Sequence, residues 1–189
     1  QYAQVDHIED VESAIEDLGY PDRRVILKPR TGRGARGIIL VDSQVDSGEH
    51  QLSPGSEARG YELGNLDAVT KYLLKEENPL GLMAMEFLPG DIFDVDCVVS
   101  KSKPICIVPR RRLWDTPFSK GVEGHRIEQN QEMEHLTKRI SEALSMKFVF
   151  DCDFGTTQDG QPGLLEVNPR WSGSVAAALA GGINIPSML

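Results

Sequence analysis

A hairpin near the C-terminal end, residues 151–174, constrains the fold of this chain more than any other stretch. Residues 149–154 alternate apolar and acidic side chains, which is the pattern of a half-buried strand. Residues 158–161 read Gln-Asp-Gly-Gln, and Asp-Gly supplies the positive-φ positions that a tight turn needs. Residues 163–167 then read as the returning strand. The sequence therefore predicts an antiparallel hairpin.

Three polar side chains of this hairpin are predicted to meet on one surface. Because side chains alternate along a strand, Glu166 and Asn168 point the same way, and pairing across the turn brings Asp153 alongside them. Hard oxygen ligands of this kind suit Mg²⁺. Arg170 follows at once and has the geometry to hold a phosphate or a carboxylate. An ordinary hairpin with a solvated polar face has the same pattern, so this stretch alone leaves both interpretations open.

The composition excludes several classes of protein. The chain has 189 residues, 40% hydrophobic and 26% charged, with a formal net charge of −9 and no basic stripe, which argues against nucleic acid as a partner. No apolar run approaches the length of about 20 residues that a membrane span needs. The three cysteines are widely spaced and the four histidines form no ligand pattern. We expect free thiols in a reducing, cytoplasmic compartment, and no membrane partner.

Strands and helices are mixed along the chain. Helical spacing of apolar residues predicts helices at 6–18 (with Asp6 as N-cap), 66–76, 131–146 and 176–180. Strands are predicted at 24–30, 38–42, 82–88, 93–100 and 103–111, in addition to the hairpin. Segments 43–61 and 113–126 are predicted to be loops. Since several strand pairs are joined by short turns, this is an α+β pattern with mainly antiparallel sheets.

The glycine-rich segment at residues 32–37 matches G-x-G-x-x-G, but its context is not that of a dinucleotide site. A dinucleotide site requires a following helix, whereas Ile38-Ile-Leu-Val41 reads as a strand. The segment is predicted to join two strands as a flap whose backbone N–H groups close over phosphate oxygens. Arg33 and Arg36 add positive charge, and Lys28 on the preceding strand has the reach of a phosphate ligand. A mobile hairpin tip with solvated arginines is the alternative.

Residues 83–90, Met-Ala-Met-Glu-Phe-Leu-Pro-Gly, suggest a hinge whose backbone groups bind an adenine edge. A core strand with a Pro-Gly turn is the alternative. Three acids follow, at Asp91, Asp94 and Asp96. One of them is a candidate for a ribose hydroxyl, although such acids are more often solvated.

The order of these elements resembles the ATP-grasp superfamily, and within it the large chain of carbamoyl phosphate synthetase. The order is a lysine on a strand, a glycine-rich flap, Glu-Phe-Leu-Pro-Gly, a basic segment, then Asp153 and Glu166-x-Asn168-Pro-Arg170. The resemblance covers nearly the whole chain, and the spacing between Asp153 and Glu166 is its most specific part. It implies an α+β ATP-grasp fold with two lobes of mainly antiparallel sheets and flanking helices enclosing a nucleotide cleft. Residues 1–86 would form the small lobe with the flap, and residues 87–189 the large lobe with the metal site.

The resemblance also implies roles for individual residues. The residues that would bind ATP are Lys28, Gly32, Gly34, Arg36, Gly37, Glu86, Phe87, Leu88 and Asp94. The ligands of one or two Mg²⁺ ions, or of Mn²⁺ in their place, would be Asp153, Glu166 and Asn168. The residues that would face the transferred phosphate or the acid substrate are Arg112, Lys120 and Arg170. Many members carry an acid where this chain has Ile92, so the choice between Asp91 and Asp94 for the ribose stays open.

The function that the resemblance implies is an ATP- and Mg²⁺-dependent carboxylate–amine ligase that activates a small carboxylic acid as an acylphosphate for attack by an amine. A nucleotide-binding regulatory module without turnover is the alternative, and phosphoryl transfer to a different acceptor also stays open. The chain begins without Met and ends in Ile-Pro-Ser-Met-Leu. We therefore expect an excised part of a longer polypeptide, whose further domains include the one that precedes this core in the family.

Overall fold

The computed structural model describes residues 1–31, 37–45, 61–76, 80–113 and 124–189. Their strands are β1 (Tyr2–Val5), β2 (Val25–Pro29), β3 (Ile38–Val41), β4 (Tyr61–Gly64), β5 (Leu82–Glu86), β6 (Ile92–Ser100), β7 (Lys103–Leu113), β8 (Gly124–Ile127), β9 (Phe148–Thr156) and β10 (Pro162–Asn168). Their α-helices are α1 (Val11–Asp17), α2 (Leu66–Leu73), α3 (Gln131–Ala143) and α4 (Ala176–Ala180), with short 3-10 helices at Ile8–Asp10 and Ile185–Met188. The predicted α+β class with mainly antiparallel sheets is confirmed. In the described part of the chain, no helix combines the length and the apolar character needed to cross a membrane.

The chain divides into two compact units, Gln1–Phe87 and Leu88–Leu189. The division that we drew from the sequence lies one residue earlier. Each unit is built on its own five-stranded sheet.

The first unit has the strand order β1-β5-β2-β3-β4. Its pairs are antiparallel except for β3 and β4, which run parallel. Alternate residues of β2, such as Val25 and Leu27, are fully buried and pack with Val11 and Ile15 of α1 and Val69 of α2. The amphipathic helices thus bury their apolar sides in one core with the sheet.

The strands on both sides of the glycine-rich segment pair with each other. β2 and β3 are antiparallel neighbours, and β3 begins directly after Gly37. Gly37 has φ +69°, and a Cβ there would lie 3.1 Å from Pro29 Cγ, so glycine suits this position. The prediction that a strand follows this segment is confirmed. The predicted phosphate contacts at Gly32, Gly34 and Arg36 lie outside the described residues.

In the first unit, two strands were missed, one N-cap prediction was wrong and several element ends differ. β1 and β4 were not predicted, because both are short strands with polar residues at a sheet edge. Asp6 does not cap α1, since its carboxylate pairs with Arg30 and the α-helix begins only after the 3-10 turn. The helices and β5 also end earlier than predicted, β5 at Glu86.

The second unit has the strand order β10-β9-β6-β7-β8, and every pair is antiparallel. The β6–β7 turn places Lys101 and Ser102 at φ 50° and 62°, the positive values of a tight turn that matches strand twist. β8 corrects the predicted loop at 113–126: residues 124–127 pair with the end of β7.

The two faces of this second sheet have different chemistry. On one face, Phe93, Phe150 and Phe154 pack with Met133 of α3 in an apolar core. On the opposite face, one end is apolar and is packed by Ala178 and other residues of the C-terminal segment. The rest of that face carries polar and charged side chains from β6, β7, β8, β9 and β10, because strand residues two apart share a face.

Candidate functional site

The hairpin of β9 and β10 brings the predicted metal ligands together. Glu166 lies opposite Asp153, and Asn168 lies opposite Asp151. Residues directly opposite in an antiparallel pair project from the same face of the sheet. The predicted juxtaposition of Asp153, Glu166 and Asn168 is therefore observed, while their role as metal ligands remains a prediction.

A β-bulge in β10 determines that Glu166 pairs with Asp153. Leu164 lies opposite Phe154, and the register then shifts by one residue before Glu166. In an unbroken ladder, Leu165 would take the place opposite Asp153 and Glu166 the place opposite Cys152, on the apolar face. The extra residue at the bulge turns Glu166 to the face of Asp153.

Acids from β6 extend the same polar surface. Asp94 lies opposite Asp153, and Asp96 lies opposite Asp151. Asp94, Asp96 and Asp151 are each only 3% exposed. We call these four residues (Asp94, Asp96, Asp151 and Asp153) the acidic face.

Arg112 of β7 joins two members of the acidic face. Its Nε donates to Asp94 Oδ1 at 2.9 Å, and its Nη2 donates to Asp153 Oδ2 at 2.9 Å and to Asp94. Burial alone would lower the pKa of Arg112, but the hydrogen bonds to Asp94 and the charge of Asp153 outweigh it and raise the pKa. The guanidinium is therefore a fixed positive charge beside the predicted metal ligand.

Asp94 has partners on both carboxylate oxygens. His125 Nε2 lies 2.8 Å from Oδ2, and Ser174 Oγ donates to the same oxygen at 3.1 Å. Burial opposes its ionisation, yet the hydrogen bonds and charges of Arg112, His125 and Arg110 hold the pKa of Asp94 below its usual value. The ribose contact predicted for Asp94 stays a prediction. Its observed hydrogen bonds favour a structural role, in which it joins β6 to Arg112 of β7 and His125 of β8.

Arg110 is a fully buried arginine that ties the C-terminal segment to the sheet. Its Nε and Nη2 lie 2.8 Å and 2.7 Å from Asp96 Oδ2. Its Nη1 donates to the carbonyl oxygen and to Oγ of Ser174, at 3.0 Å and 2.8 Å. Burial raises the pKa of Asp96, and the charge and hydrogen bond of Arg110 only partly offset this effect.

Asp151 and Asp153 are crowded carboxyl groups. Burial, followed by the charges of Asp153, Asp94 and Asp96, raises the pKa of Asp151 to about 8. Burial also raises the pKa of Asp153 to about 6, against the attraction of Arg112 and with the repulsion of Asp94. One oxygen each from Asp94, Asp151 and Asp153 lies within 4.8 Å of the others. A set of hard oxygens at this spacing fits a Mg²⁺-type cation.

Arg170 lies beyond the end of β10 and is exposed. Its Nη2 donates to Asn168 Oδ1 at 3.3 Å, and its Nη1 donates to the carbonyl oxygen of Trp171 at 2.9 Å. The guanidinium is thus held next to the predicted amide ligand. Its predicted contact with phosphate or acid remains a prediction.

Of the residues predicted for the adenine hinge, Glu86 and Phe87 end the first unit. At the end of β5, Glu86 lies 3.8 Å from Arg23 Nη1. The Arg24 guanidinium carbon lies 5.8 Å from the centroid of the Phe87 ring, within the range of a cation–π contact. Leu88 begins the second unit.

Two further lysines were assigned roles from the sequence. Lys28 lies on β2 opposite Met83. Lys120 lies outside the described residues. The roles assigned to both remain predictions.

Sequence reasoning missed several members of the site. Asp94 was a candidate for the ribose, and solvation was the alternative given for Asp94 and Asp96. That alternative is wrong, because both side chains are buried and paired with arginines. Asp151, Arg110 and His125 were not singled out. The sequence did hold a signal for them. Asp-x-Asp on β6 and on β9, and Arg-x-Arg on β7, each place two side chains of like charge on one face of the sheet.

The family model described as "ATP-grasp in the biosynthetic pathway with Ter operon" matches residues 78–189, more than half of the chain. The chain belongs to the ATP-grasp family. The predicted superfamily is thereby confirmed, whereas the narrower likeness to carbamoyl phosphate synthetase stays a prediction.

Solved structures show the same ATP-grasp fold. N5-carboxyaminoimidazole synthetase from Staphylococcus aureus, complexed with ADP, has a TM-score of 0.59 and 13% identity, covering 95% of this chain and 41% of that one. D-alanyl-alanine synthetase A from Vibrio cholerae has a TM-score of 0.60 and 14% identity, covering 89% and 50%. The ATP-grasp ligase PsnB, complexed with a precursor variant, Mg and ADP, has a TM-score of 0.56 and 18% identity, covering 92% and 44%.

The ATP-grasp chain described here spans half or less of the length of these three structures. A search of curated protein sequences gives no match.

Proposed function

We propose that this ATP-grasp chain carries the metal-binding and phosphoryl-transfer part of an ATP-dependent carboxylate–amine ligase. The observation that carries the proposal is the register of β9 and β10, which sets Glu166 opposite Asp153 with Asn168 on the same face. Arg112, bonded to Asp153, adds a positive charge at that point. Together these groups offer oxygen ligands for Mg²⁺ and a cation for phosphate.

Each residue has a role in this proposal. Asp153, Glu166 and Asn168 would hold Mg²⁺, which when bound offsets the negative charge of the ATP phosphates. Arg112 and Arg170 would neutralise charge on the transferred phosphoryl group and orient the substrate carboxylate.

The proposed reaction has two steps. A substrate carboxylate oxygen attacks the γ-phosphorus of ATP in line, the bond to the β–γ bridging oxygen breaks, and ADP leaves. The amine nitrogen then attacks the acyl carbon of the acylphosphate, and inorganic phosphate leaves with the amine losing a proton. Such catalysis needs positioned charge rather than a covalent nucleophile.

The cysteines are consistent with this mechanism. Burial raises the pKa of the Cys97 and Cys152 thiols to about 12, so neither supplies a thiolate at neutral pH. Both pack in the apolar core against α3, away from the acidic face.

The partners follow from the same proposal. They would be ATP, a small carboxylic acid and an amine, with further domains of the same polypeptide completing the acid and amine sites. Proteins of similar fold include an N5-carboxyaminoimidazole synthetase, a D-alanyl-alanine synthetase and a ligase complexed with a precursor peptide, so the proposal names the acid and the amine only by class.

The first test is binding. Thermal unfolding of the chain with an ATP analogue should show stabilisation only when Mg²⁺ is present, worth about 2.7 kcal/mol at a ligand concentration of 100 Kd. Asp153→Asn and Glu166→Gln should remove this metal-dependent stabilisation. Glu142→Gln removes an exposed acid of α3 and should leave it intact. Equal stabilisation of all variants would refute the assigned metal face.

The second test is turnover in the full-length protein. Candidate acids and amines should release ADP and phosphate, and Asp153→Asn or Glu166→Gln should abolish the release. Metal-dependent ATP binding without ADP release for any acid would favour a regulatory module instead.

A further inference from the structure

The acidic face has more negative than positive charge within the described residues. Its four carboxylates are accompanied by two guanidinium groups, those of Arg110 and Arg112. With these six groups ionised and His125, which contacts Asp94, counted as neutral, the balance is two negative charges at buried or half-buried positions. Burying uncompensated charge is costly, so the fold requires either a cation or protons there.

Asp151 is the carboxylate of the acidic face that has no ion pair among the described residues. It is 3% exposed, and its Oδ1 is buried without a hydrogen-bond partner among the described residues. By contrast, Asp94 is bound by Arg112, His125 and Ser174. A buried carboxylate oxygen without a donor is rare in folded proteins, so an ion, a proton or a water is expected beside it.

The carboxylate of Asp151 belongs to a small group of acids. Asp151 and Asp153 lie two residues apart on β9, so they share a face, and Asp94 lies opposite Asp153 on β6. The oxygens that these three residues offer lie within 4.8 Å of one another. Carboxylate oxygens alone select hard divalent cations such as Mg²⁺ and Mn²⁺ over soft metals.

We propose that Asp151, Asp94 and Asp153 hold a divalent cation in a site that fills without nucleotide. The site shares Asp153 with the pair of Asp153 and Glu166, adds Asp94 from β6 on the other side of β9, and uses Asp151, to which the ligase proposal gives no role. The ion neutralises the two excess charges and fixes Asp153 before ATP arrives. This proposal does not require turnover of ATP.

The test is a titration of the metal-free, nucleotide-free chain with Mn²⁺, followed by the electron paramagnetic resonance signal of the free ion. One Mn²⁺ should bind per chain at neutral pH. Asp151→Asn should weaken this binding at least about tenfold, because it removes an ionised ligand. Glu166→Gln should keep nucleotide-free Mn²⁺ binding while losing the metal-dependent binding of an ATP analogue. Glu142→Gln is the matched control for loss of one exposed acid and should change neither.

Folding of the Asp151→Asn variant is checked by its circular dichroism and its melting temperature. Asparagine keeps the shape of the side chain and removes a charge, so this variant should melt at or above the wild-type temperature in chelator, and Mn²⁺ should no longer raise it. The absence of Mn²⁺ binding by the wild-type chain at millimolar concentration would overturn the proposal and leave a proton as the compensating species. Equal binding by wild type and Asp151→Asn would also overturn it, as would loss of binding in Glu166→Gln. If ATP binding fails in every form while Asp151-dependent Mn²⁺ binding persists, the ligase proposal falls and this one stands.

Discussion

Replacement of the buried Arg110 by methionine should be among the most damaging single changes in the second unit. The side chain is 0% exposed and makes an ion pair to Asp96 and two hydrogen bonds to Ser174. Its loss leaves Asp96, 3% exposed and already with an unpartnered Oδ1, without its counter-ion. Breaking a buried ion pair from one side costs about 3–5 kcal/mol, and we expect Arg110→Met to fall in this range.

The assay is equilibrium unfolding in urea, followed by tryptophan fluorescence. Trp171 lies in the second unit and packs with Val98 of β6 and Val108 of β7, so its signal reports on the sheet that contains Arg110. Arg126→Met is the matched control, because this arginine of β8 has a side chain that is 62% exposed. The control should change the free energy of unfolding by no more than about 0.5 kcal/mol.

A second substitution separates lost charge pairing from lost packing. Adding Asp96→Asn to Arg110→Met removes the stranded carboxylate and should recover about 2 kcal/mol, measured as the coupling energy of a double-mutant cycle. If Arg110→Met costs less than about 1 kcal/mol, the ion pair does not carry the stability that its burial implies. If Asp96→Asn gives no recovery, the cost arises from packing or from Ser174, and the electrostatic reasoning is wrong.

Three further expectations follow from individual contacts. Gly90→Ala should destabilise the second unit by about 1–3 kcal/mol in the same assay, because a Cβ there would lie 2.7 Å from the carbonyl oxygen of Thr157 and 2.8 Å from that of Thr156; an unchanged midpoint would contradict this. Asn130→Ala should cost about 1 kcal/mol, since Asn130 Oδ1 accepts from the first turn of α3 at 3.0 Å, and Asn130→Asp should restore most of it. In metal-free buffer, the free energy of unfolding should fall as pH rises from about 4 to about 8, because burial raises the pKa of Asp151 to about 8 and the folded chain keeps a proton that the unfolded chain releases. Asp151→Asn should flatten this slope, and a slope equal to that of the wild type would contradict the assignment.

Local chemistry explains why the hairpin of β9 and β10 was predictable. Asp159-Gly160 fixes the turn, with Gly160 at φ +85°, and the alternation on each side assigns the faces. The strand after Gly37 was predictable for a similar reason, since four consecutive apolar residues are too short for a helix. These features depend on neighbours in the sequence.

Features that depend on distant partners were not predictable. β1 and β8 are four-residue strands with polar residues, and they exist because β5 and β7 offer edges for pairing. The burial of Asp96 and Arg110 is a similar case. Each charge alone indicates solvent exposure, and only their mutual contact across β6 and β7 makes burial tolerable.

The bulge at Leu165 depends both on the local sequence of β10 and on contacts with distant residues. The residue types of β10 supply an acid and an amide with the same facing, which the sequence shows directly. Which acid of β9 they meet depends on register, and a shift of one residue would set Glu166 beside Cys152 in the apolar core. Because a carboxylate in that core would have no counter-ion, the burial of the apolar face against α3 selects the bulged register. The placement of Glu166 beside the acidic face is thus fixed by the packing of the opposite face of the same sheet.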